Sequence, residues 1–285
     1  MKKLRKWNFM KISLIVAVYK DIEALSLIVE ALKTQSYKNF ELIIAEDNNA
    51  SQMKNYVASI EGIEYKHTFH DDLGVRKSRS QNNGIIASTG DYLVFIDGDC
   101  IPHSKFIEGH AILAEEKKVL SGRRSNLGPK YSAKLRSKEL LPLKFEKIFL
   151  RKFISIAKDS EEGHVEEGFW LNPKGFFFKK FLKDRNTQLL GCNFSCYKKD
   201  VEAINGFDEG YGASPLSDDT DISWRLKASG LELKSCRNVA NVFHLFHKRS
   251  QKDATTENLM ENFVANQKAN RFVCEHGLNT HEGKQ

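Results

Sequence analysis

The sequence predicts an α/β fold: a mostly parallel central sheet flanked by helices. Three observations carry that prediction. Apolar, β-branched runs recur at 12–18 ("ISLIVAV"), 40–47 ("FELIIAED") and 91–97 ("DYLVFID"), the composition of strands buried on both faces of a parallel sheet. Segments with apolar residues at helical spacing alternate with them. Polar clusters at Asp47, at Gly74 to Arg79 and at Asp97/Asp99 fall at or near the strand ends, where open α/β sheets bind ligands.

Each element has a local reason. After the strand at 12–18, apolar residues at 22, 25, 28, 29 and 32 share one helical face within 21–35, and Asp21 stands where a cap accepts free N–H groups. A strand at 40–47, a helix at 52–60, a short strand at 63–69, a helix at 75–89 and the strand at 91–97 follow. The second half is less regular. From Gly128 to Lys158 it carries nine Lys/Arg against two Asp/Glu, and Phe145, Ile148, Phe149, Phe153 and Ile156 fall on one helical face. A basic amphipathic helix over 130–158 either lies on an acidic membrane surface or docks its apolar face on the domain; the pattern allows both. Aromatics crowd 166–181, as core or as an acceptor-side loop. The segment 242–248 ("VFHLFHK") ends a last strand, and 256–278 reads as a terminal helix packing back on the domain.

Composition bounds the partners. With 285 residues, 41% hydrophobic and 28% charged, the chain can bury a core without staples. Lys+Arg exceed Asp+Glu by 44 to 37, a net charge of +7 that favours anionic partners. The five cysteines are scattered and lack CxxC spacing, which points to reduced cytosolic thiols. The N-terminus, "MKKLRKWNFMKISLIVAVYK", opens like a secretion signal, but its apolar stretch is short and no small-residue cleavage site follows; it reads as a buried strand. No apolar run reaches the roughly 18 residues of a membrane span.

Two aspartates, Asp97 and Asp99, leave a buried strand around Gly98 in "YLVFIDGDCIP". Turns use Asp and Gly anyway. Emerging together from a buried strand, however, two negative charges invite a cation, and Mg²⁺ or Mn²⁺ binds through one or two carboxylates plus substrate phosphates. Asp99 is the candidate ligand, Asp97 a ribose or metal-water contact, and Gly98 lets a substrate approach the backbone. A second acidic cluster, Asp218, Asp219 and Asp221, opens a helix; a cap explains one carboxylate but not three, so one is a candidate proton acceptor. His244 and His247 offer a further metal ligand, in neither an HExxH nor a zinc-finger spacing.

These residues resemble the family 2 glycosyltransferases, nucleotide-sugar enzymes of the GT-A fold. "SLIVAVYKDIEALSLIVEAL" resembles their opening strand and helix, with Lys20 where the family usually has Asn. "LIIAEDNNAS" resembles the strand that ends at the base-contacting Asp, here Asp47. "LGVRKSRSQNNGIIASTGDYLVFIDGDCIP" resembles a basic loop, helix and D-x-D strand of a bacterial subgroup. "LLGCNFSCYKKDVEAINGFDEGYG" with "DDTDISWRLKASGLELK" is similar to a galactosyltransferase-like C-terminal region, with Ser217-Asp218-Asp219 in place of Gly-Glu-Asp. The resemblance covers roughly residues 11 to 280.

The resemblance implies a nucleotide-sugar-binding half at 10–120, an acceptor-binding and catalytic-base half of the same domain at 121–250, and a C-terminal helix and tail at 251–285. It implies Val18, Tyr19, Asp47, Arg76, Asp97 and Gly98 around the donor, Mn²⁺ or Mg²⁺ on Asp99 with His244 or, second, His247, and Asp219 or, second, Asp218 as base. The expected reaction is inverting transfer from a UDP-sugar to a surface-polysaccharide, lipopolysaccharide, lipid-linked or other glycan acceptor. The expected location is cytoplasmic, peripheral on the inner face of the cell membrane through 130–158. A nucleotidyltransferase should show a Gly-rich phosphate loop after the first strand, and "AVYKDIEAL" has none. No nucleic-acid-binding motif accompanies the positive charge, so nucleic acid is not an expected partner. A non-catalytic carbohydrate-binding relative is not expected to keep Asp97, Asp99, Asp219 and His244 together.

Overall fold

The computed structural model describes residues 10–181, 185, 187–212, 217–248 and 256–281. The first half runs β1 (Ile12–Val18), α1 (Ile22–Lys33), β2 (Phe40–Glu46), α2 (Ser51–Ala58), β3 (Tyr65–Thr68), α3 (Lys77–Ala87) and β4 (Tyr92–Asp97). These are the elements that the sequence predicts, and the longer ones repeat their period several times. Asp21 caps α1 by accepting the Ala24 N–H at 2.9 Å, and the Arg136 guanidinium holds the same carboxylate with two bonds of 2.8 and 2.7 Å. The rest runs β5 (Cys100–Pro102), α4 (Phe106–Leu113), β6 (Lys118–Ser121), β7 (Arg124–Asn126), α5 (Pro129–Arg136) and α6 (Pro142–Asp159). Then come α7 (Phe176–Phe181), β8 (Asn193–Tyr197), α8 (Lys198–Glu202), α9 (Ile222–Ala228), β9 (Glu232–Ser235), β10 (Val242–His244) and α10 (Thr256–Lys268).

Seven strands form the main sheet in the order β3-β2-β1-β4-β8-β6-β9, and β8 alone runs antiparallel to both of its neighbours. Register fixes two buried faces: Leu14 lies beside Leu42 and Val94, while Ile15 lies beside Ile43 and Phe95 on the other side. Both sets are fully buried, in separate apolar clusters, which is why β1, β2 and β4 are apolar throughout. Three further strands form a small sheet, β5-β10-β7, in which β10 is antiparallel to β5 and parallel to β7. Residues 10–120 and 121–250 are interleaved in both sheets.

Helix α6 resolves the ambiguity of 130–158. Phe145, Phe149 and Ile156 are buried with Tyr131 and Phe243, and Ile148 and Phe153 pack against them. The Phe145 and Phe243 rings meet edge to face at 5.0 Å. The apolar face that a membrane would have taken is therefore spent inside the protein. Its opposite side leaves Leu150 and Ile154 exposed at 75% and 71%, among the exposed Lys147, Arg151 and Lys158. The aromatic stretch at 166–181 is split: Phe169 packs on that same cluster and Phe178 is buried, whereas Phe176 is exposed. The terminal helix is shorter than 256–278, ending at Lys268 after Phe263 has packed edge to face on Trp224. All five cysteines are free and buried. Among the described residues, no helix is long and apolar enough to cross a membrane.

Candidate active site

The Asp97-Gly98-Asp99 turn joins β4 of the main sheet to β5 of the small one, so it lies where the two sheets meet. Gly98 is required by packing: a Cβ there would meet the Ala17 carbonyl oxygen at 2.7 Å and the Val18 Cα at 3.2 Å. On its Cβ side Gly98 is closed by the end of β1. Asp97 accepts a 2.6 Å bond from the Lys77 Nζ at the start of α3. Lys77 sits in the basic loop that the sequence flagged, yet its partnership with Asp97 depends on the adjacency of α3 and β4.

Strand β10 sits against β5 with His244 opposite Cys100, which carries both histidines of "VFHLFHK" to the turn. The Asp99 Oδ2 lies 3.4 Å from the His244 Nε2 and 3.2 Å from the His247 Nε2. One ligating atom from each of the three residues lies within 4.8 Å of the other two. The sequence left a choice between the histidines; the fold brings both. Burial raises the Asp99 pKa, but the neighbouring imidazoles of His244 and His247 prevail and hold its carboxyl well below the usual carboxylate range. The bond to Asp99 raises the His247 pKa, against a smaller opposing effect of burial. The buried His244 Nε2 makes no hydrogen bond to the described residues, and its contact with Asp99 is that of an ion pair. An orphaned imidazole nitrogen beside an ionised carboxylate and a second imidazole fits a divalent metal ion.

The residues expected at a nucleotide edge lie at the ends of β2 and β3. The Asp47 carboxylate accepts the Arg76 backbone N–H at 2.8 Å, which joins the two residues expected there. His70 was not foreseen: it stands 3.3 Å from the Asp47 Oδ1 and 3.0 Å from the Arg76 guanidinium. Burial raises the Asp47 pKa, against the Arg76 hydrogen bond and the positive charges nearby. The Asp47 Oδ1, His70 Nε2, Arg76 Nε and Thr68 Oγ1 are all buried without hydrogen-bond partners among the described residues, groups that a polar planar ligand could complete. Val18 contributes only backbone, since its side chain is buried and its carbonyl accepts the Asp47 N–H at 2.9 Å. Tyr19 is half exposed, and Lys20 bonds both the Tyr19 hydroxyl at 2.7 Å and Asp72 at 2.8 Å. Lys20 has a φ of 57°, a conformation that Asn tolerates better than Lys, which explains the usual Asn in this motif.

The acidic cluster at 218–221 divides. Asp221 is fully buried and paired: its Oδ2 accepts from the Arg225 Nε at 2.6 Å and its Oδ1 from the Tyr211 hydroxyl at 3.1 Å. It is a structural residue and leaves the set of candidate bases. The Asp218 side chain lies outside the described residues. Asp219 is half-buried, in the wide turn Ser217–Asp221, and its Oδ1 accepts the Gly191 N–H. That bond locates it. Because β8 begins with Asn193 opposite Ile96 and runs antiparallel to β4, the residues just before Asn193 run alongside the Asp97–Asp99 turn. Gly191 thereby tethers the Asp219 carboxylate to the same end of the sheet.

The family model for glycosyl transferase family 2 matches residues 13–202, two thirds of the chain. The chain belongs to glycosyl transferase family 2. A second model, the N-terminal domain of galactosyltransferase, matches residues 176–248, the span that contains Gly191, Asp219, His244 and His247. This glycosyltransferase is 23% identical over 216 residues to a GalNAc(5)-diNAcBac-PP-undecaprenol beta-1,3-glucosyltransferase of Campylobacter jejuni, covering 66% of this chain and 70% of that one. It is 28% identical over 117 residues to the amylovoran biosynthesis glycosyltransferase AmsB of Erwinia amylovora, covering 39% and 38%. Its fold resembles a mannosyltransferase of Pyrobaculum calidifontis, solved with GDP-Man and Mn²⁺, with a TM-score of 0.54 at 13% identity over 95% of this chain and 67% of that one. It also resembles S. aureus TarS, with a TM-score of 0.56 at 13% identity over 82% of this chain and 60% of that one. The expected GT-A architecture is the one the chain adopts.

Proposed function

We propose that this glycosyltransferase is a metal-dependent inverting enzyme that moves a sugar from a nucleoside-diphosphate donor to a hydroxyl of a glycan or lipid-linked acceptor. The observation that carries the reading is the convergence of Asp99, His244 and His247 at the end of the strand that also carries Asp97. A divalent ion held by these three residues would neutralise the charge that gathers on the leaving diphosphate. Two imidazoles beside one carboxylate favour Mn²⁺ over Mg²⁺, which prefers an all-oxygen shell.

The remaining roles belong to the chain's own side chains. Asp47 accepts an imide N–H of the base, which uracil and guanine offer and adenine lacks; a UDP-sugar is the first expectation and a GDP-sugar the second. Arg76 and His70 complete that edge, and Asp97, once Lys77 is shared with the donor, faces the ribose or the sugar. Asp219, with Asp218 as second choice, takes the acceptor hydroxyl proton as that oxygen attacks the anomeric carbon from the side opposite the breaking bond, so one displacement inverts the centre. A cytoplasmic enzyme peripheral to the membrane suits a lipid-linked acceptor. The bilayer contact would then be the exposed edge of α6 at Leu150 and Ile154, in place of its docked apolar face.

The test is a donor screen with Mn²⁺, Mg²⁺ or chelator, followed by NMR of the product anomer. Turnover that needs the metal and yields the inverted anomer supports the reading. Asp219→Asn is expected to lower turnover about 10²- to 10⁴-fold while nucleotide binding persists. Retention of configuration, or full activity in chelator, would refute it.

A further inference from the structure

The small sheet brings one more charged residue to the donor site. Strand β7 pairs in parallel with β10, Arg124 opposite Val242 and Asn126 opposite His244. Residues directly opposite each other on paired strands project to the same face. Arg124 and Asn126 therefore share the face that carries His244. Asn126 is 6% exposed, and among the described residues its Oδ1 is buried without a hydrogen-bond partner, as is the His244 Nε2 beside it. Two adjacent orphaned groups on one face mark a surface that something bound completes.

Arg124 is the cation of that surface. Its side chain makes no hydrogen bond to the described residues, and its nearest carboxylate there is Glu162, at 4.0 Å, the outer limit of an ion pair. Its neighbour Arg123 is spent on backbone carbonyls, donating to the Gly122 oxygen at 2.8 Å and the Gln188 oxygen at 2.9 Å. Burial opposes the Arg124 charge, the buried Cys192 and Cys100 and then, with smaller effects, Asp97 and Asp99 favour it, and its charge in turn acts on His247. The guanidinium thus stands within electrostatic reach of three groups of the turn and histidine cluster, on the metal side of the donor site.

We infer that Arg124 binds the donor's terminal phosphate and stabilises the departing diphosphate. A planar guanidinium with its donors unspent suits two phosphate oxygens, where an ammonium would offer a point charge. The inference rests on the nucleoside-diphosphate reading above and adds a protein cation to it. It also explains why β7 carries an arginine beside two histidines at a site built for a cation: the cost of like charges is recovered only when an anion lies between them.

The test compares diphosphate with monophosphate. Binding of UDP and UMP, and of GDP and GMP, is measured by calorimetry in Mn²⁺ for the full chain, Arg124→Ala and Arg124→Lys. For the accepted base, Arg124→Ala is expected to weaken the diphosphate about tenfold and leave the monophosphate within about twofold, with Arg124→Lys intermediate. Mn²⁺ binding without nucleotide should tighten in Arg124→Ala, because a like charge has gone; a purely structural role would weaken metal and nucleotide alike. Equal losses for diphosphate and monophosphate, or an unchanged ratio, overturn the inference while the donor reading stands. Failure of the unaltered protein to bind any of the four nucleotides overturns both.

Discussion

The two sheets of this glycosyltransferase are made differently and do different work. The main sheet pairs long apolar strands in register across two buried faces, and it brings candidate site residues, Asp47 and Asp97, only to its ends. The small sheet joins three strands of three residues each, drawn from 100–102, 124–126 and 242–244, and carries His244, Asn126 and Arg124 while fixing Asp99 beside them. Under the proposed function, stability is concentrated in the first and chemistry in the second. A frame that buries its apolar residues on both faces can support a neighbour whose polar groups stay unsatisfied until a ligand arrives.

The largest effect that would sharpen this contrast is Asp99→Ala. It should reduce turnover by about 10³-fold and abolish metal-dependent nucleotide binding, with the thermal midpoint nearly unchanged. A large fall in that midpoint would break the contrast, since the small sheet would then be structural. Asp221→Ala should do the reverse: removing one partner of the buried pair with Arg225 is expected to cost roughly 3–5 kcal/mol in denaturant unfolding. Its effect on activity, measured where the protein remains folded, should be minor.

A smaller effect lies inside the main sheet. His110 packs against β8, with its Nδ1 2.8 Å from the Ser195 Oγ and its Nε2 3.2 Å from the Asn193 Oδ1. Burial pushes its pKa down to about 3, against a weaker opposing bond to Asn193. The unfolded chain therefore binds the proton more readily, so the contribution of His110 is fully present above pH 6.5 and is lost as pH falls toward 3. Between pH 7.5 and pH 5 this amounts to about 2 kcal/mol, and His110→Gln should remove that part of the slope in chemical unfolding curves. An unchanged slope would mean that His110 takes up its proton in the folded state. Smallest is Lys20→Asn, which relieves a left-handed lysine and should raise stability by no more than about 1 kcal/mol.

Legibility in the sequence divides along the same line. Strands β1, β2 and β4 and helices α1 and α3 could be read because each repeats its period several times. The Asp97-Gly98-Asp99 turn could be read because carboxylates after a buried strand need an explanation. Three-residue strands have no period, so the pairing that unites Asp99 with both histidines was invisible, and one histidine seemed to compete with the other. The Asp218/Asp219/Asp221 cluster looked uniform because a sequence does not show that Arg225, one helical turn on, claims Asp221. His70 carried no signal, since only the crossing of the β3 loop over β2 brings it to Asp47.

The most direct test of the central claim is titration of Mn²⁺, followed by its electron paramagnetic resonance, into the full chain with UDP or GDP, compared with Asp99→Ala, His244→Ala and His247→Ala. The account predicts one bound ion per chain with the accepted nucleotide and weakened binding in all three variants. Nucleotide binding that is indifferent to Mn²⁺, or a bound ion that persists when Asp99 is removed, would contradict it.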